Sequence, residues 1–266
     1  MTLIPLTPWQ LALAAVLLLI LVMLSIPLRL QLGQQMVVAA VRTTVQLLLV
    51  GLVLEIIFGD ISPLWILFMA LFMVLAAGYE VHQRQHYRLT HGWGLGIGTG
   101  AMFISSFSIT LIALTAILNH DPWYEPQYAI PLLGMLLGNT MNGISLGLDR
   151  LNSTVWQQRY QIEARLLMGH SANDAIGDIR RDSIRTGLIP IINSMAAAGI
   201  ISLPGMMTGQ ILSGTSPMEA VKYQILIMFL IAAGTGYGTI AAVTLGSRRL
   251  FDDRQRLRLD RLRPTT

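Results

Sequence analysis

Long apolar runs alternate with short polar turns along this chain, and one polar stretch breaks the rhythm. Seven segments carry about 20 or more residues with almost no charge: Gln10 to Leu28, Met36 to Phe58, Ser62 to Tyr79, Leu95 to Leu118, Ala129 to Leu148, Gly187 to Leu212 and Tyr223 to Leu245. A helix rises 1.5 Å per residue, so about 20 apolar residues match the ~30 Å hydrocarbon core of a bilayer. The pattern predicts an all-α fold, a polytopic integral membrane bundle of about seven transmembrane helices. Residues 1–266 read as a single transmembrane domain, with a polar loop at 149–186 and a basic tail at 247–266. One segment is irregular. Pro204-Gly205 interrupts the sixth, which is either a kinked span or a re-entrant pair.

Composition agrees with the pattern: 53% of residues are hydrophobic and 12% charged, and the mean hydropathy is +0.60. The net charge of +4 does not point to nucleic acid, because the arginines sit at the edges of the apolar segments, where membrane topology accounts for them. The first segment lacks a basic start and a small-residue cleavage site, so it is expected to be a retained helix and not a signal peptide.

Basic residues are retained in cytoplasmic loops, which gives the expected orientation. Arg29 and Arg42 flank the first inner turn, and Arg84 and Arg88 the second. Arg150, Arg159, Arg165, Arg180, Arg181 and Arg185 mark the third, and Arg248 to Arg263 the tail. The loops around Asp60, Asp121 to Glu125 and Thr215 to Lys222 hold one basic residue, Lys222. An N-terminus outside and a C-terminus in the cytosol satisfy all loops together, in the cell inner (plasma) membrane.

Several chemistries are excluded by residue type. With no cysteine in the chain, disulfides, thiolate metal sites and a cysteine nucleophile are out. A P-loop places lysine on the nucleotide phosphates, followed by a magnesium-binding hydroxyl. The single lysine, Lys222, is followed by Tyr223, so this chain carries no nucleotide-binding motif and is not expected to be an enzyme. The ladder Gly92, Gly94, Gly96, Gly98, Gly100 does not complete a dinucleotide fingerprint and reads as a closely packed start of a helix.

The polar loop holds the most specific local pattern. Glu163-Ala164 is followed by Gly169, then by Ile179 ten residues on, while Ser171 to Asp174 has the form of a helix N-cap with an acid in the first turn. Two short helices bent at Gly169-His170 are expected. This spacing resembles the coupling loop of ATP-binding-cassette permeases, E-A-A-x-x-x-G with an isoleucine ten residues beyond, which seats in a groove of the ATPase. Arg165 departs from the second alanine of that pattern, and Arg181-Asp182 from the Leu-Pro of importers. A solvated amphipathic connector is the alternative reading of the loop alone.

Longer stretches carry a second resemblance. Val41 to Phe58, Ile130 to Arg150, Ile184 to Pro190 and Gly199 to Ile225 look like the FetB-type ABC permease family, which also includes plant aluminium-tolerance permeases. The resemblance implies a permease subunit paired with a separate cytosolic ATPase, with ATP and magnesium bound on that partner and no cofactor in this chain. Its bacterial members are associated with iron export and its plant members with sugar-nucleotide movement. A coupling role is implied for Glu163, Ala164, Gly169, Ser171, Asp174 and Ile179.

Polar residues inside apolar segments are costly in lipid and so are candidates for a transport path. Arg42 and Gln46 stand one turn apart, with Glu55 toward the opposite end of the same segment; anchoring at the interface is the alternative for each. Asn139, Asn142, Asn193 and Gln210 need partners or a water-filled path, and Pro204-Gly205 frees backbone carbonyls. Helix-to-helix hydrogen bonding and a simple kink are the alternatives. His82 and His86 beside Glu80, with His91 beyond, have divalent-metal spacing in a loop that also reads as plainly solvated. The methionines of the spans, Met135, Met141, Met195, Met206, Met207 and Met228, read mainly as adaptable packing. Gly134/Gly138, Gly143/Gly147 and Gly234/Gly238 have the spacing of close helix contacts or of a homodimer seam.

The expected function is that of the permease subunit of an ABC exporter, assembled as a homodimer in membrane lipid, with iron as the favoured cargo. Export of a non-metal solute such as a sugar nucleotide, or a gradient-driven transporter or channel, remains the alternative.

Overall fold

The computed structural model describes residues 7–29, 32–59, 63–90, 92–119 and 121–264. Asp60 and His91 lie outside the described residues. Two compact units divide the chain: Met1–Ser62 with Leu212–Gly214, and Pro63–Ile211 with Thr215–Thr266.

The first unit contains two helices, α1 (Pro8–Ser25) and α2 (Gly33–Gly59). The backbone N–H of Thr7 donates to Gln10 Oε1 at 2.8 Å, which closes the first turn, and Pro8 occupies the position where a helix needs no amide donor. The helices approach where Gly33 lies beside Val22 and Ser25; a Cβ on Gly33 would stand 3.2 Å from Ser25 Oγ. Ser25 is the single buried residue of α1, and the span of α2 buries none.

The second unit is a packed bundle. It contains α3 (Pro63–Gln83), α4 (Trp93–Met102), α5 (Ser108–Ile112), α6 (Pro126–Gln157), α7 (Arg159–Leu167), α8 (Ala172–Ala175), α9 (Gly177–Ala197), α10 (Gly205–Leu212) and α11 (Pro217–Arg249). π-helical turns at Phe103–Phe107 and Ala113–Ile117 flank α5, so Trp93–Ile117 runs as one helix. With 32 and 33 residues, α6 and α11 are each about 50 Å long. They exceed the hydrocarbon thickness, and their last turns form the polar end of the bundle.

Burial without a hydrophobic drive between helices requires close backbone approach, which small residues permit. The contact of α6, α9 and α11 has that form. A Cβ on Gly187 would meet the backbone oxygen of Gly143 at 2.5 Å, and one on Gly143 would meet Thr239 Oγ1 at 2.6 Å. Gly147 lies against Val243, and Gly238 against Thr140 and Ser105. The spacing Gly143/Gly147 and Gly234/Gly238 is therefore spent within this chain. In the glycine ladder, Gly94 and Gly98 face His82 and Val81 of α3, while a Cβ at Gly96 or Gly100 meets nothing within 4 Å.

The polar end is tied down by the tail. Strand β1 (Tyr87–Leu89) pairs antiparallel with β2 (Leu262–Pro264), and Leu89 and Leu262 are buried between them and the bundle. Buried Asn152 donates to Gln85 Oε1 at 3.2 Å and to the Tyr87 carbonyl at 2.9 Å. Arg261 donates to the carbonyls of Arg249 and Phe251. Within the basic tail expected at 247–266, residues 247–264 thus form a folded strap, held by buried Leu250, Phe251 and Leu262.

Six helices among the described residues are long and apolar enough to cross a membrane: α1, α2, α3, Trp93–Ile117, α6 and α11. The remaining expected segment, the sixth, Gly187 to Leu212, is not one helix. Its first part is the end of α9, which stops at Ala197. Gly199 then takes φ +81°, a left-handed conformation natural to glycine, and α10 begins only at Gly205. The break therefore opens before the expected Pro204-Gly205, because Gly199 turns the chain and Pro204 cannot donate to resume the helix.

Candidate functional site: a polar elbow and a chamber at a helix break

The polar loop folds as expected into two short helices with an elbow. Gly169 adopts φ +89°, and the Ser171 side chain caps α8 by accepting from the Asp174 backbone N–H at 3.2 Å, while its hydroxyl donates to Asp174 Oδ2 at 2.6 Å. On the inner side, Ile162, Ala175, Ile176 and Ile179 are buried. Glu163, Ala164, Gly169 and Asp174 are exposed and Ser171 is half-buried. At the elbow Leu167 is 89% and Met168 70% exposed, an apolar tip where the surrounding surface is charged.

The two departures from the coupling-loop pattern serve this geometry. Arg165 and Arg181 both pair with Asp178, at 3.4 and 2.5 Å, and Arg165 also donates to the Ala175 carbonyl at 3.3 Å. Arg181 first, through its hydrogen bond, and then Arg165 hold the Asp178 carboxyl below the usual aspartate range. Asp182 pairs with Arg150 of α6 at 2.9 Å. Gln255 of the tail accepts from the Ala172 backbone N–H at 2.9 Å. The elbow is thereby clasped to α6, α9 and the strap.

The far end of α9 reaches the second feature. A cavity of about 150 Å³ opens at the break, lined by Met135 and Asn139 of α6, Ser194 of α9, Pro204 and Met206 at the start of α10, and Gln224 and Met228 of α11, with three isoleucines. Asn139 donates its amide to the Met135 carbonyl at 2.9 Å, which leaves its oxygen as the uncommitted atom. Gln224 is buried and its Oε1 has no partner, an expensive state unless water or a ligand reaches it. The lining offers neutral oxygens and thioethers. Met135 and Gln224 lie about 14 and 10 Å from the starts of their helices, inside the membrane-length portion.

The other candidates are distributed more widely. Gly205 lines the same chamber, Gln210 is half-buried and Asn193 exposed. Asn142 accepts from Arg84 at 2.8 Å, a link between the α3 end and α6. Arg42, Gln46 and Glu55 are exposed on α2, in the other unit. Of the pair expected in a loop, His82 belongs to the last turn of α3, which ends at Gln83, and His86 lies beyond it. His82 packs on Gly94, whereas the His86 ring lies 3.1 Å from the Asp149 carboxylate. No cluster of three His, Asp or Glu side chains suited to a metal occurs among the described residues. Gln224 was missed by the sequence reading. It was signalled only by being the lone amide in the apolar run from Tyr223 to Ala233.

A bundle of membrane-length helices defines a helical, multi-pass membrane protein. The chain belongs to the uncharacterised protein family UPF0014, whose profile matches residues 8–251. It is 41% identical to the UPF0014 membrane protein slr1647 of Synechocystis, over 86% of this chain and 87% of that one. To the probable iron export permease protein FetB of Escherichia coli it is 33% identical, over 96% of each. The Arabidopsis thaliana protein ALUMINUM SENSITIVE 3 is 34% identical over 88% of this chain and 82% of its own. No solved structure matches the chain.

Proposed function

We propose that this protein is the permease subunit of an ATP-binding-cassette exporter, a homodimer in the cell inner membrane that moves a metal ion, iron by preference, across it. A separate cytosolic ATPase binds ATP and magnesium and docks on the 162–179 loop. The observation that carries this reading is one helix: α9 begins in the clasped elbow at Gly177 and ends at the chamber, where Ile191 and Ser194 line the cavity. Movement of the elbow under an ATPase would be carried along about 31 Å of helix to the break. Iron as the cargo is supported by the name of one relative, a probable iron export permease.

In mechanism, the ATPase grips the exposed Leu167-Met168 tip and the Glu163 face, and ATP-driven closure biases the elbow between two positions. The Asp178 clasp makes α7, α8 and α9 move together. At the other end, the turn at Ala198 to Pro204 lets α10 stay while α9 shifts, which opens or closes the chamber. The free energy enters through differential docking at the elbow, not through cargo binding. Replacing Leu167 and Met168 by aspartate tests this directly: membrane insertion is retained, while co-purification of the ATPase and cargo-stimulated hydrolysis are lost. Unchanged ATPase capture by that variant contradicts the reading.

A further inference from the structure

We propose that the groove between α4 and α11 binds an anionic phospholipid, with one acyl chain between the helices and the phosphate at Arg248. The groove has a volume of about 1070 Å³ and is lined from Trp93 to Ile112 on one side and from Tyr237 to Arg249 on the other. The helical path from Trp93 to Ile112 covers about 28 Å, close to the full hydrocarbon thickness. Its walls include Ile97, Ile104, Ile109 and Leu245. Gly96 and Gly100 leave a smooth floor, since a Cβ on either would meet nothing within 4 Å. Such a slot accepts an unbranched chain.

One end of the slot is basic. Arg248, Arg249 and Arg261 line it there. The Arg249 guanidinium lies 4.2 Å from the centre of the Trp93 ring, and Arg261 is held by backbone carbonyls. Arg248 is exposed and forms no side-chain hydrogen bond or ion pair among the described residues. The acids at the same end are Asp252, which is taken by Arg256 at 2.8 Å, and Asp253. Three cations against one uncommitted carboxylate leave this end net positive, which suits the anionic phosphodiester of a lipid.

Arg248 and Phe251 also border a second cavity of about 240 Å³, whose other walls include Ser171, Asn173 and Gln255. An unpaired cation therefore stands between an apolar slot and a small polar cavity, the sequence of environments met by the chain, phosphate and polar head of a lipid. The side-chain amides of Asn173 and Gln255 in the second cavity suit a glycerol headgroup. Basic sites between membrane helices recognise anionic lipid in this way.

The test uses the full chain in detergent without its ATPase, so its outcome is independent of what is transported. Native mass spectrometry compares retention of phosphatidylglycerol and phosphatidylcholine with identical acyl chains. The wild-type chain should retain phosphatidylglycerol about fivefold better, the effect of roughly one surface cation. Arg248→Gln, a change at an exposed and unpartnered side chain, should remove that preference. Gly100→Leu, which fills the slot without touching the faces packed on α3, should lower retention of both lipids. Equal retention of the two lipids by the wild type, or an unchanged preference in Arg248→Gln, overturns the proposal. A lipid-free dimer that Gly100→Leu dissociates also overturns it, because a second copy of the chain then fills the groove.

Discussion

The α1–α2 hairpin and the α6–α9–α11 contact are both apolar, yet only the second is stitched together. In the hairpin one serine is buried and the span of α2 buries nothing. In the bundle Gly143, Gly187 and Thr239 meet at distances that leave no room for a methyl group. The difference teaches what hydrophobicity does in a membrane chain. It decides which segments enter lipid, but lipid tails solvate an apolar helix as well as another helix does, so association falls to small residues and hydroxyls.

The sharpest way to break the contrast is to add bulk on each side of it. Gly187→Leu should cost about 3 kcal/mol or more, because the obstacle at 2.5 Å is backbone and cannot rotate away. Thermal unfolding in detergent would register it as loss of the folded species. Leu262→Ala, which empties a buried site in the strap, should cost about 2 kcal/mol, and faster hydrogen exchange at Tyr87 to Leu89 would confirm that β1 is released.

Function separates the regions further. Gln224→Leu removes the unpartnered buried oxygen of the chamber and should slow transport strongly while leaving stability intact, whereas Gln46→Leu, on exposed α2, should change transport little. Vesicle transport with the reconstituted ATPase distinguishes the two, and equal losses would move the path toward α2. Asp178→Asn should weaken coupling more modestly. The Asp178 carboxyl is held below its ordinary value, so the clasp contributes above the unfolded aspartate pKa of about 3.9. It is lost only as pH falls through the lower folded value. The ratio of transport to hydrolysis should therefore be flat from pH 5 to 8 for the clasp's part. The smallest effect belongs to Gly51→Leu. A Cβ there meets nothing within 4 Å, and the unfolding free energy, followed by thermal unfolding in detergent, should stay within the range of a surface change, about 0.5 kcal/mol.

Much of this organisation was legible in the sequence. Apolar run length located six membrane-length helices, and the Ser171/Asp174 cap with Gly169 located the elbow, because each depends on local chemistry alone. The break in the sixth segment was legible at Pro204 but began at Gly199, since a glycine declares its left-handed conformation only in context. Asp178 as the shared partner of Arg165 and Arg181 was hidden by a long-range contact: Arg165 lies thirteen residues away. The strap was hidden for the same reason. Leu262 finds Leu89 across most of the chain, and an arginine-rich tail reads as solvated until its few leucines find a core. His82 and His86, four apart in sequence, take different surroundings: His82 packs on Gly94 and His86 lies beside Asp149.

The central claim is that α9 transmits the state of the elbow to the chamber. The chain has no cysteine, so Ser194→Cys supplies a single thiol at the chamber. Its rate of modification by a membrane-impermeant reagent, measured in reconstituted vesicles with the ATPase empty and then trapped with nucleotide, should differ several-fold between the two states. That difference should vanish when Leu167 and Met168 are replaced by aspartate. Equal rates in both nucleotide states, with transport intact, would contradict the account.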